Sequence, residues 1–207
     1  MKRITAVIIA LLALGFALQA YAGEDAVSSA TVDITALPEM KENEDADVLV
    51  IYFSTNDTVK AVALTAADAL GADVFEVVPE IPYTEDDLKY YTDCRADQEQ
   101  ADDTARPGIA ALPENLEKYS TIFLGYPIWH GQAPKILYTL LESTDMKEKT
   151  IIPFCTSMSS GAGSSAAALQ GLTDDTAVWQ EATRIDNEST ADDVRAWAVS
   201  AMEEITE

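Results

Sequence analysis

The chain is poor in the residues that hold metals or build disulfide frameworks. It has two cysteines, Cys94 and Cys155, far apart and in no Cys-x-x-Cys pair, and a single histidine, His130. Two cysteines can pair in an oxidising compartment, but they make no disulfide scaffold, and one histidine anchors no zinc site. No metal site is expected. Positive charge is also scarce, with 13 Lys and Arg against 36 Asp and Glu and a formal net charge of −23. Such a chain repels phosphates, which excludes nucleic acid as a natural partner and disfavours an anionic membrane surface. The same charge steers a basic protein partner or simply solvates the exterior. There is no internal repeat, no Walker loop and no Gly-x-Gly-x-x-Gly fingerprint. One His beside no identifiable nucleophile also makes no hydrolytic triad, so no catalytic residue is assigned.

Long apolar runs are lacking too. The longest, Ile4 to Leu18, follows Lys2 and Arg3 and ends near Ala20-Tyr21-Ala22. It is shorter than the roughly 20 residues a membrane-spanning helix needs. A basic start, a short apolar stretch and a small-x-small site describe a secretory signal peptide over residues 1–22, cut before Gly23. Export to the periplasm or beyond is therefore expected, with no membrane attachment after cleavage. Losing Lys2 and Arg3 takes the net charge from −23 to −25. Residues 23–46 are rich in Ala, Ser, Thr, Glu and Asp without a sustained period and read as a linker. One domain follows over residues 47–207.

Within that domain short apolar runs alternate with helical patterns. Val48 to Phe53, Val74 to Val78, Thr121 to Gly125, Thr150 to Cys155 and Thr176 to Gln180 read as strands, the first continuously apolar as a strand buried on both faces must be. Helical spacing covers Thr58 to Leu70, stopped by Gly71, a stretch after Pro134, and a C-terminal segment capped by Thr190. Thr84 to Ala101 reads as a helix followed by a loop. Pro153 removes one ladder hydrogen bond from the fourth strand, which predicts a local bulge there. This alternation predicts an α/β fold: a doubly wound, five-stranded parallel sheet of order 2-1-3-4-5 with helices on both faces. In such sheets a ligand sits beyond the carboxyl ends of the strands, where strands 1 and 3 diverge.

Three loops fall there. Ser54, Thr55, Asn56, Asp57 and Thr58 either wrap a phosphate with hydroxyls, amides and a helix N-terminus, or cap the helix. After strand 3 come Pro127, Ile128, Trp129 and His130, where Trp129 either stacks on a flat aromatic ligand or packs on the domain surface. The bland reading of His130 is a hydrogen-bonded surface residue. After strand 4, Thr156, Ser157 and Gly161 belong to a run of small residues that permits close backbone approach, as a flexible linker also would.

Val48-Leu-Val-Ile-Tyr-Phe-Ser54, Ile122-Phe-Leu-Gly-Tyr-Pro-Ile-Trp129 and Ile152-Pro-Phe-Cys-Thr-Ser157 resemble the flavodoxin family, in its branch with a Gly-Tyr-Pro-Ile-Trp loop. Pro82-Tyr83-Thr84, Arg106-Pro107 and Asp193-Val194-Arg195-Ala196-Trp197 resemble that branch too, and the likeness runs from Val48 to Trp197. The resemblance implies a flavodoxin-like fold and non-covalently bound FMN. It implies that Ser54 to Thr58 hold the phosphate, that Pro127, Ile128 and Trp129 line one side of the isoalloxazine, and that Thr156, Ser157 and the glycines behind them meet its other edge. The chain departs from the family pattern in two places. Asp57 and Val59 stand in the phosphate loop, adding an acid and omitting a hydroxyl, and His130 stands where a second Trp is usual. The expected function is electron transfer through FMN, with a basic redox partner protein. An FMN-dependent NAD(P)H or quinone oxidoreductase is one alternative, and a flavin-free exported binding module is the other.

Overall fold

The computed structural model describes residues 43–206, so the expected signal peptide and most of the expected linker lie outside the described residues. The sheet runs in the order β2-β1-β3-β4-β5, from β1 (Val48–Tyr52), β2 (Asp73–Glu76), β3 (Thr121–Pro127), β4 (Thr150–Thr156) and β5 (Val178–Trp179), with β6 (Thr183–Ile185) also on β4. Every strand pair is parallel. This is the expected flavodoxin-like, doubly wound arrangement.

Strand alternation divides the core in two. Leu49, Ile51 and Phe53 point to one face and join Ile136, Leu137, Leu140 and Leu141 of α3 (Lys135–Ser143) and Leu169 of α4 (Ser165–Gln170). Val48, Val50 and Tyr52 point to the other, against Val59, Val62, Ala63 and Ala66 of α1 (Asp57–Leu70) and Val194 and Ala198 of α5 (Ala191–Glu204). Val59 is thus a core residue, fully buried, which is why no hydroxyl stands there. The small side chains of α1 let that helix lie close to the sheet. Thr190 caps α5 in a reciprocal box with Asp193, each accepting the other's backbone N–H.

The structure corrects three expectations. The order of helix and loop is reversed in the 84–101 stretch: a single 3₁₀ turn at Asp86–Leu88 comes first and α2 (Arg95–Ala101) second. The short helix α4 follows directly on the loop after β4, where no element was expected. The fifth strand is broken, and the cause lies in its neighbour. Lys149 and Ile151 turn their carbonyls to the fifth strand, accepting from Val178 and Gln180, so by alternation Pro153 faces the same way. With no N–H to offer there, β4 stays regular against β3 through Leu124↔Pro153. The fifth strand instead inserts one residue, passing Gln180, Glu181 and Ala182 opposite Ile152 and Pro153 before β6 resumes at Phe154↔Thr183. The bulge that Pro153 predicts is present, but on the partner strand. Open clefts of about 420 and 510 Å³ flank it.

Gly125 sits mid-strand in β3, directly opposite Phe154. A Cβ built there would lie 2.3 Å from the Phe154 ring. The missing side chain is the space the ring occupies.

Candidate functional site

The three loops emerge side by side. Phe53, just past β1, donates its N–H to Gly125 (2.9 Å), and Ile128, just past β3, donates to Thr156 at the end of β4 (3.0 Å). The carboxyl ends of β1, β3 and β4 are therefore contiguous, and all twelve residues singled out in the sequence lie along that edge.

In the first loop, Asn56 caps α1, its side-chain oxygen accepting from the Thr58 amide at 3.2 Å. The Ser54 hydroxyl bonds the Asn56 carbonyl. Among the described residues, nothing accepts from the amides of Ser54, Thr55, Asn56 and Asp57. Unpaired amides leading into a helix N-terminus form a cradle for an anion. Helix capping and phosphate binding are thus compatible, because one side chain caps while the backbone stays free. Asp57 is exposed as the first helical residue, where an acid also complements the helix dipole.

The second loop is a tight turn. Trp129 and Gln132 exchange backbone hydrogen bonds at 2.9 Å in both directions, with His130 (φ 48°) and Gly131 (φ 77°) between them. Two consecutive positive φ values are what a two-residue turn of this kind requires, and glycine takes the second without strain. Pro127 and Ile128 are half-buried, whereas Trp129 is 2% exposed. Its ring meets Phe53, Tyr83 and Tyr90 edge to face, at 5.5, 5.3 and 6.2 Å between centroids. Trp129 thus anchors the wall from beneath, and the surface open to a ligand comes from Pro127, Ile128 and the loop backbone.

Four further residues support this loop; of these only Tyr83 figured in the sequence, within the Pro82-Tyr83-Thr84 resemblance. Buried Gln100 donates to the carbonyls of Trp129 (3.3 Å) and Ala133 (3.2 Å) and accepts from the Lys135 amide (3.0 Å), clamping both ends of the turn to α2. Asp97, also on α2, holds the His130 ring at 2.7 Å. Tyr83 and Tyr90 complete the aromatic cluster. Burial and then the hydrogen bond to Glu99 push the Tyr83 phenol well above its ordinary range, and burial does the same for Tyr90. The tyrosines scattered through a polar stretch were the available signal. The contacts of Gln100 and Asp97 span 29 to 35 residues, beyond local pattern.

The third loop is open. The Ser157 hydroxyl accepts from the amides of Ser159 (3.3 Å) and Ser160 (2.8 Å), and its carbonyl accepts from Arg184 and Asn187, both at 3.3 Å. Gly161 is exposed, and a Cβ there would meet only the Gly163 amide nitrogen at 4.0 Å. The loop therefore offers approach rather than a built pocket. Both cysteines are free thiols. Cys155 is buried in β4, and that burial pushes its thiol up to about 11, so it is unreactive as a thiolate at neutral pH. No cluster of metal-ligating residues occurs among the described residues.

Free amides and hydroxyls at one end, an aromatic-backed apolar wall in the middle and an open small-residue edge suit a flat ligand carrying a phosphate. No curated protein matches the chain. Among solved structures, a candidate flavoprotein of Bacteroides eggerthii DSM 20697 is 35% identical, with a TM-score of 0.68, over 75% of this chain and 97% of that one. A candidate flavoprotein of Bacteroides uniformis ATCC 8492 is 33% identical, with a TM-score of 0.69, over 73% and 97%. A flavoprotein of Lactobacillus acidophilus NCFM, solved in complex with FMN, shares the fold at 19% identity and a TM-score of 0.53, over 67% and 93%. The sequence model of the family described as Flavodoxin matches residues 47–201, and the chain belongs to that family.

Proposed function

We propose that the protein is an exported redox protein that binds FMN at the three-loop edge and transfers electrons through it. The observation that carries this reading is the contiguity of four amides unpaired among the described residues, an aromatic-backed wall and an open loop at one end of the sheet. It is supported by the Lactobacillus protein of the same fold, which was solved in complex with FMN.

When bound, FMN supplies the redox chemistry, and the protein supplies binding, orientation and electrostatics. The amides of Ser54 to Asp57, with the hydroxyls of Thr55 and Thr58, hold the phosphate. Pro127 and Ile128, backed by Trp129, carry one side of the ring system. Thr156, Ser157 and Gly161 border the other edge. The aromatic layer beneath excludes water from that side. The net charge, −23 for the full chain and −25 after loss of Lys2 and Arg3, steers a basic partner protein to the surface. Incubating the FMN-loaded chain with NADPH and a quinone tests electron transfer against the oxidoreductase alternative. Slow or absent NADPH oxidation supports a protein electron donor, and sustained turnover supports the reductase.

The exposed carboxylate of Asp57 opposes an anionic phosphate. Asp57→Asn is expected to tighten FMN binding by about three- to tenfold at low ionic strength, with the gain shrinking in salt. Fluorescence titration reads the difference. Equal affinities at low salt would mean that the carboxylate points away from the phosphate.

Export is proposed from the N-terminal sequence. The mature protein recovered from producing cells should begin at Gly23, as read by intact mass. A mature chain that retains Met1 to Ala22 contradicts it.

A further inference from the structure

His130 is the chain's one histidine, and it stands at the tip of the turn that lines the proposed flavin site. Its ring is fixed from three sides. One nitrogen, Nε2, lies 2.7 Å from Asp97 Oδ1. Tyr90 and Tyr91 pack against the ring at steep angles, 5.3 and 5.2 Å between centroids. Asp97 is fixed in turn, because its other oxygen accepts from the amides of Thr92 (3.0 Å) and Cys94 (3.3 Å). Burial pushes the Asp97 carboxyl up, but hydrogen bonds from the Tyr91 backbone, the His130 ring and the Thr92 and Cys94 amides outweigh it and hold the group at about 2. Asp97 is therefore a carboxylate throughout the range in which imidazoles titrate. Nδ1 has no partner among the described residues. The other titratable groups around the ring are the phenols of Tyr90 and Tyr91, with the Cys94 thiol beside Tyr90.

A carboxylate on one ring nitrogen sets the tautomer and supports the charge that appears when the other nitrogen takes a proton. A mere latch for the turn would need the Asp97 hydrogen bond but no free Nδ1. We propose that His130, oriented by Asp97, is the proton-transfer residue of the site. This inference rests on the FMN reading above. As an electron arrives from the reducing partner protein, the charged ring gives its Nδ1 proton to the bound cofactor and stays neutral while the cofactor is reduced. Below the imidazole's titration that proton comes from the ring and none is taken from water; above it, one proton is taken from water with each electron.

The test measures the reduction potential of the FMN-loaded chain between about pH 5.5 and 8.5, alongside NMR titration of its only imidazole. FMN occupancy is followed separately by flavin fluorescence. The wild-type potential should change slope at the pH where the imidazole titrates. His130→Gln, which can still hydrogen-bond Asp97, should keep FMN and lose that break. In Asp97→Asn the break and the imidazole titration should move together. A wild-type line that runs straight through the imidazole titration with FMN bound overturns the proposal and leaves the FMN reading standing. A break that persists in His130→Gln does the same. Failure of the wild-type chain to bind FMN overturns both. If His130→Gln does not fold, the wild-type line alone decides.

Discussion

Gly125→Ala should lower the unfolding free energy by about 3 kcal/mol, the upper part of the range for overpacking a tight core. At this chain length that corresponds to a fall in Tm of roughly 6–12 °C. The new methyl group would lie 2.3 Å from Phe154 Cζ and 2.6 Å from Cε2, well inside contact distance. Phe154 has nowhere to go. It is fully buried and packs on Trp197 at 5.3 Å, and its backbone is paired to Gly125 itself. Relief must come from β3 and β4 moving apart, beside the point where Phe53 donates to the Gly125 carbonyl. FMN affinity should therefore fall as well. Urea denaturation reads the stability change as a lower midpoint with an unchanged slope. Adding Phe154→Leu should recover much of the loss, since the two sites are in contact and coupled. A Gly125→Ala chain as stable as the wild type would mean that the ring does not occupy that space.

Trp129→Ala should be at least as damaging, at about 3–5 kcal/mol for truncating a large buried aromatic. The indole is 2% exposed and contacts Phe53, Tyr83 and Tyr90. These residues come from two segments besides the turn itself, so one truncation loosens β1, the 80–91 stretch and the turn together. FMN binding should be lost even below the unfolding midpoint, because Pro127 and Ile128 would have no backing. Trp129→Phe keeps an aromatic body in place. It should recover most of the stability, and its effect on FMN affinity then reports how far the indole itself touches the ligand. Thermal unfolding with and without FMN separates the two contributions, since a ligand that binds only the folded state raises Tm. A stable Trp129→Ala chain that still binds FMN would remove this wall from the site.

How much of this could be read from sequence depended on whether its cause was local. β1, β3 and β4 are buried on both faces, so their apolar runs are continuous and their order followed from the alternation with helices. Thr190 caps its helix within four residues, and that cap was visible, although Asp193 was not singled out as its reciprocal partner. The break between β5 and β6 was not, because its origin is Pro153 on a different strand. Even there the proline announced a bulge, and only the register could say which strand would carry it. Trp129 could be read either as ligand contact or as packing. Its burial rests on Tyr83 and Tyr90, about 40 residues away in a stretch with little periodicity. Gln100 looked like an ordinary polar residue, yet it makes three buried hydrogen bonds to the turn. Asp97 was one acid among 36 Asp and Glu. Side chains that act through long-range hydrogen bonds leave no local pattern.

The central claim is that the three-loop edge binds FMN. Titrating the purified chain with FMN, and following flavin fluorescence and the visible spectrum, tests it most directly. The account predicts saturable one-to-one binding with a Kd at or below about 1 μM, near −8 kcal/mol, tightened by Asp57→Asn and abolished by Trp129→Ala. A chain that is folded but shows no binding at millimolar FMN would contradict it and leave a flavodoxin fold without its cofactor.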